Sequence, residues 1–167
     1  KLGATLLARE LKNDTGKDTG GLIVVRADSP IRALRDLKGK RMVFGPVLSP
    51  GGYLTQYYTM LSAGLDPDKA LAGYTFLPGA WQHEKVVYSI LFGAVDAGAV
   101  KAGDIERMEA DGKVRGSDFR VIAASEPVPN CTFFALPHVT AGTAGEVREA
   151  LLRLSGNDFV AVNGERL

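Results

Sequence analysis

Apolar runs of strand length alternate along this chain with amphipathic segments of helix length, and that alternation predicts an α/β fold with a parallel or mixed sheet flanked by helices. Three observations carry the expectation. The run Gly21-Leu22-Ile23-Val24-Val25-Arg26 is almost continuously apolar and β-branched, as in a strand covered on both faces. Between later strand-like runs, residues 50–63 and 82–92 place apolar side chains at helical spacing. Glycine or proline marks most of the junctions.

Taken in order, Leu2, Leu6, Leu7 and Leu11 have helical spacing, so a first helix is expected over 2–11, closed by Lys12-Asn13-Asp14-Thr15-Gly16. A polar loop covers 12–20 and the strand 21–26 follows, ending at the turn signal Asp28-Ser29-Pro30. Ile31, Leu34 and Leu37 can line a brief helix before Gly39. Strands are then expected over 41–44, 74–77 and 95–100, separated by helices over 50–63 and 82–92, with Leu54, Tyr58, Leu61 and Leu65 as the apolar stripe of the first and Val86, Val87, Ile90 and Leu91 as that of the second. Gly93 is placed as a C′ glycine. A charged helix over 104–110, strands over 119–124 and 132–136, and a last helix over 143–154 facing a core through Val147, Leu151 and Leu154 complete the reading.

Composition removes several classes of function. The 167 residues are enough to bury a core, and 46% apolar residues with a mean hydropathy of +0.02 argue against disorder. Twenty basic against 19 acidic residues give a net charge of +1 without a basic run, so no nucleic-acid partner is expected. Cys131 is the only cysteine, which excludes an internal disulfide and a four-thiolate zinc site. With His83 and His138 as the two histidines, no metal centre or cofactor is expected. No apolar run is long enough to cross a bilayer. The chain opens on Lys1 and its tail over 159–167 carries no stop signal, so it reads as a piece cut from something longer.

The junction Phe44-Gly45-Pro46-Val47-Leu48-Ser49-Pro50-Gly51-Gly52-Tyr53 is the most informative stretch. Ser49 suits an N-cap, Pro50 the first helical position, and Gly51 and Gly52 leave backbone N–H groups unshielded. Unpaired donors and the positive end of a helix dipole make a cradle for an oxyanion, although a plain capped helix start has the same residues. Ligands of open α/β sheets sit beyond the carboxyl ends of parallel strands. His83, at the next helix start, and Asp96, in the strand over 95–100, are expected at the same edge, the first as donor or positive charge and the second as acceptor for a polar substituent. Each also reads as an ordinary surface or turn residue. Tyr53 and Trp81 are candidates for the cleft wall or for the core.

Arg26-Ala27-Asp28-Ser29-Pro30-Ile31 followed by Leu34-Arg35-Asp36-Leu37-Lys38-Gly39-Lys40-Arg41-Met42-Val43-Phe44 resembles the entry to a lobe of type 2 periplasmic binding proteins. His83-Glu84-Lys85-Val86-Val87, then Gly93-Ala94-Val95-Asp96-Ala97-Gly98, then Ser125-Glu126-Pro127-Val128-Pro129-Asn130 narrow the resemblance to the phosphonate and phosphate substrate-binding proteins of ABC transporters. It implies two α/β lobes joined by crossing strands, with ligand held in the cleft between them. On that pattern residues 1–28 are part of the first lobe and a hinge strand, 29–124 a complete α/β lobe, and 125–167 the return hinge and more of the first lobe. One complete lobe and part of the second are therefore expected.

The resemblance further implies an extracytoplasmic, periplasmic binder of a small phosphorus oxyanion, with an ABC transporter permease as partner, membrane association only through that permease or a lipid anchor, and no catalysis. Ser49, Gly51, Gly52, Tyr53, His83 and Asp96 are the expected ligand residues. The family turn usually reads Ser-Thr-Ser-Gly, whereas here it reads Ser49-Pro50-Gly51-Gly52, which removes two hydroxyls and one N–H. Each lost charge-assisted bond is worth about 1.5–3 kcal/mol, so altered anion handling is expected. Two other readings use the same scaffold: a ligand-sensing domain of a signalling protein, and an enzyme like the menaquinone-pathway lyases, with His83 and Asp96 as its acid/base pair.

Overall fold

The computed structural model describes residues 3–9, 18–77, 82–129, 131–154, 161–162 and 165–166. In chain order the strands are β1 (Thr5–Arg9), β2 (Asp18–Thr19), β3 (Gly21–Arg26), β4 (Arg41–Phe44), β5 (Gly73–Phe76), β6 (Ala97–Lys101), β7 (Phe119–Ala124), β8 (Val128–Pro129), β9 (Thr132–Ala135), β10 (Ala161–Val162) and β11 (Glu165–Arg166). The helices are α1 (Thr55–Ser62), α2 (Pro67–Ala70), α3 (Gln82–Leu91), α4 (Asp104–Ala110) and α5 (Ala141–Arg153). Two compact units result, one of Asn13–Val128 and one of Lys1–Lys12 with Pro129–Leu167.

The larger unit is built on a five-stranded sheet in the order β5-β4-β6-β3-β7. β4 runs parallel to both β5 and β6, whereas β3 is antiparallel to β6 and β7, so the sheet is mixed. Period-two alternation divides its side chains between two cores. Ile23 and Val25 of β3, Met42 and Phe44 of β4, and Ala97 and Ala99 of β6 pack with Met60 of α1, Ile31 and Leu37 on one face. Val24, Val43 and Val100 pack with Val86, Val87 and Ile90 of α3 and with Ile105 and Met108 of α4 on the other. Burial on both faces is why β3 reads as a continuous apolar run rather than an alternating one. Each such buried aliphatic side chain contributes about 1.5–3 kcal/mol of transfer free energy.

Most expected elements fall within a residue or two of the observed ones. The brief helix near Leu34 is a 3₁₀ turn, Leu34–Leu37, and Gly93 takes φ 70° after α3 as a C′ glycine should. The stripe of α3 is correct: Val86, Val87 and Ile90 are fully buried. Of the stripe expected for the helix before it, Leu65 packs against the core, but Leu54, Tyr58 and Leu61 are exposed. The inward face carries Gln56 and Met60, with Tyr53 and Tyr57 half-buried beside them. Of the two registers, the one with the leucines looks the more apolar in sequence. Aromatic packing decides between them: the Tyr53 ring lies 5.0 Å from Phe44 and 4.7 Å from Phe76, edge to face, and 5.4 Å from Tyr57.

In the smaller unit the helix expected over 2–11 is instead the strand β1, paired antiparallel with β9 through Thr5 opposite Ala135 and Arg9 opposite Thr132. A partner strand satisfies its backbone groups, which local spacing of leucines does not reveal. α5 packs on β1, with its N-cap Thr140 accepting from the Thr143 N–H. None of its residues is fully buried, and Val147 and Leu154, expected in a core, are exposed in this unit.

Candidate functional site

Because β4, β5 and β6 are mutually parallel in direction, their carboxyl ends open on one edge of the sheet. The segment after β4 carries Ser49 and the turn Pro50–Leu54, which runs directly into α1. This turn is wider than an α-turn: the Leu54 N–H, like that of Tyr53, donates to the Ser49 carbonyl, at 3.1 and 3.0 Å. Ser49 Oγ accepts from the Gly52 N–H at 3.0 Å, so the expected N-cap is present and Pro50 occupies the first position. The cap takes the Gly52 donor, leaving the Ser49 O–H free to turn outward. Gly51 stands in the first turn of this helix start, where backbone N–H groups have no intrahelical acceptor.

His83 lies directly above this turn. A Cβ built on Gly52 would stand 2.7 Å from its Cε1, and one on Gly45 3.4 Å away. Its Nδ1 is 3.2 Å from Oδ2 of Asp104, an ion-pair distance, although no hydrogen bond joins the two. Asp104 opens α4 after β6 and is buried. Its carboxylate accepts from the Lys101 N–H at 3.1 Å and from Arg107 Nη2 at 2.9 Å. Burial is the main reason the His83 pKa lies below its ordinary 6.5; Asp104 opposes the shift, and Arg107 and Lys101 reinforce it. The imidazole is therefore neutral at pH 7, with one ring nitrogen as a donor.

Lys101 closes the cluster from β6. A side chain added at Gly51 would meet Lys101 Cγ at 3.1 Å, so the stem of Lys101 occupies the space that residue 51 leaves empty. Gln56 fixes the helix start to the same strand end: its buried Nε2 donates to the Val100 carbonyl at 3.1 Å and to the Gly51 carbonyl.

Of the expected ligand residues, the structure brings together Ser49, Gly51, Gly52 and His83. Tyr53 adjoins them but turns its ring into the Phe44, Phe76 and Tyr57 cluster. Asp96 is not at this edge. It precedes β6, at the opposite end of the strand, where its Oδ2 accepts from the Arg41 N–H at 2.8 Å and its N–H donates to the Arg41 carbonyl at 3.0 Å. The expected convergence of His83 with Asp96 is thus corrected: a strand crosses the sheet from end to end, and the carboxylate beside His83 is Asp104. Trp81 lies outside the described residues. Sequence reading missed Lys101, Asp104, Arg107 and Gln56. The position of Asp104 shortly after a strand carboxyl end was the available signal for the acid. No group of three His, Cys, Asp or Glu side chains suited to a metal ion occurs among the described residues.

The depressed pKa of His83 gives a pH signature. Below pH 6.5 the unfolded chain takes up a proton at this histidine that the folded chain refuses, so the folded state loses stability as pH falls until the folded pKa is passed. Urea midpoints at pH 7.5 and 5.5 should fall further on acidification in the native sequence than in His83→Gln. Equal falls would show that His83 titrates normally.

The family model described as the periplasmic phosphonate substrate-binding protein of ABC transporters matches residues 1–163. The tetrathionate sensor histidine kinase TtrS of Salmonella typhimurium is 32% identical over 143 residues, a match that spans 79% of this chain and 24% of that protein. Among solved structures, XAC2383 from Xanthomonas citri bound to ATP superposes with a TM-score of 0.74 at 25% identity, over 90% of this chain and 57% of that one. A binding-protein component of an ABC phosphonate transporter from Pseudomonas aeruginosa gives a TM-score of 0.69 at 20% identity, over 92% and 51%. PhnD1 from Prochlorococcus marinus in complex with methylphosphonate gives 0.64 at 20% identity, over 90% and 57%. The chain spans little more than half the length of these solved relatives and about a quarter of the kinase. The type 2 periplasmic-binding-protein fold follows from these superpositions.

Proposed function

The chain belongs to the periplasmic phosphonate substrate-binding proteins of ABC transporters, and we propose that it supplies one wall of an interlobe cleft that holds a small phosphorus oxyanion or a related anion. The observation that carries this reading is the meeting, at one sheet edge, of the first-turn Gly51 N–H, the Ser49 hydroxyl and the imidazole of His83. Gly51 and Ser49 donate to the anion, and the dipole of the helix that starts at Pro50 adds to the attraction. Gly52 serves through its cap to Ser49, and Tyr53 braces the turn from the core side. A neutral imidazole donates to the anion without a proton change. Asp96, tied to Arg41, is left out of the site.

In this reading residues 29–124 form a lobe of a two-lobed, extracytoplasmic protein, with the runs over 20–28 and 119–135 as its connections. Release of ligand to a permease follows from opening of the cleft. Calorimetry of the full-length protein with inorganic phosphate, phosphite, methylphosphonate and 2-aminoethylphosphonate tests it. Dissociation constants below millimolar are expected for at least one of these, lost in Ser49→Ala combined with His83→Ala. No heat with any of the four, or full affinity in the double variant, overturns the assignment.

A further inference from the structure

We infer that Lys101 supplies the cation of this cradle; the inference rests on the anion-site reading above. Lys101 closes β6 at the edge where the Ser49 turn begins α1, and it is half-buried against Gly51. Among the described residues its ammonium has no carboxylate partner, although most lysines and arginines near it in sequence are paired: Arg107 with Asp104, Lys113 with Glu84 and Asp111, Arg115 with Asp118.

The chemistry at residue 51 and that at residue 101 are one arrangement. A Cβ at position 51 would stand 3.1 Å from Lys101 Cγ and 3.1 Å from the Gly20 carbonyl. Gly51 is therefore what lets the lysine stem lie alongside the turn. A side chain that donates a hydroxyl from residue 51 and a lysine that passes beside it compete for one space. Here the lysine has it, and a diffuse positive charge replaces a directed hydroxyl. A point charge with rotatable donors favours a highly charged oxyanion and is less demanding of its shape.

The test is calorimetry of the full-length protein and its Lys101→Gln and Lys101→Arg variants with inorganic phosphate, methylphosphonate and 2-aminoethylphosphonate. Lys101→Gln should weaken whichever of these the native protein binds by about tenfold or more, with its ligand-free unfolding midpoint unchanged, while Lys101→Arg keeps the affinity. Native affinity in Lys101→Gln overturns this inference and leaves the anion site standing. Failure of the native protein to bind any of the three overturns the anion site and this inference with it.

Discussion

Gly21→Ala is expected to destabilise the larger unit by about 3 kcal/mol or more, the largest effect of any single-methyl change in it. A Cβ at Gly21 would stand 1.8 Å from Nε2 of Gln56, 2.3 Å from its Cδ and 2.8 Å from its Oε1. Gln56 cannot swing aside cheaply. It is fully buried, and its amide joins the carbonyl of Gly51 at the start of the helix to that of Val100 at the end of β6. Making room means either breaking those bonds, which leaves buried carbonyls unsatisfied, or parting α1 from β3. Both cost more than the few tenths to 1 kcal/mol that replacing a glycine can return through the unfolded chain. Urea unfolding measures the change, and Gln56→Ala in the same background should recover part of it by removing the obstacle. A midpoint within experimental scatter of the native one would mean that the Gln56 bridge is not formed.

Gly52→Ala is expected to lower oxyanion affinity about a hundredfold while changing stability by about 1 kcal/mol. Two opposed terms act on stability. Alanine is the better helix former by about 1 kcal/mol, but its methyl would sit 2.7 Å from Cε1 of His83 and 3.0 Å from Oγ of Ser49. The overlap costs about 1–3 kcal/mol if nothing moves, and less once the imidazole gives way. His83 is the mobile partner, because its contact with Asp104 is an imperfect one. The stability terms nearly cancel, whereas the binding terms add: the imidazole is displaced and the Ser49 cap is pushed from its position. Calorimetry with methylphosphonate and the imidazole NMR resonances of His83 give separate readouts. Unchanged affinity together with an unmoved His83 resonance would remove both residues from the cradle.

The elements of the larger unit were legible because each is specified locally. Ser49-Pro50-Gly51-Gly52 writes out a capped helix start, and the Leu22-to-Val25 run can be hidden only as a strand covered on both faces. Ser49, Gly51, Gly52 and His83 could be named in advance because strand and helix order alone puts them at the carboxyl edge. That edge is a property of the chain's sequence of elements, so it survives ignorance of side-chain packing.

What the sequence by itself determined is thus the α/β class, the run of elements from β3 to β7 and the position of the helix cap. Tertiary structure decided the rest. It made β1 a strand, since the pairing with β9 is a contact between distant residues that no window around Leu6 and Leu7 contains. It chose Tyr53, Gln56, Tyr57 and Met60 over Leu54, Tyr58 and Leu61 as the inward face of α1 and the turn before it, since the rings of Phe44 and Phe76 receive Tyr53 and the carbonyls of Gly51 and Val100 receive the Gln56 amide. It also moved the acid of the site from Asp96 to Asp104. Those two aspartates lie at opposite ends of one strand, and an extended chain rises about 3.3 Å per residue, so the few residues between them span the whole sheet. Charge and spacing are read along the chain, but which groups share a site is set by the direction in which each strand runs.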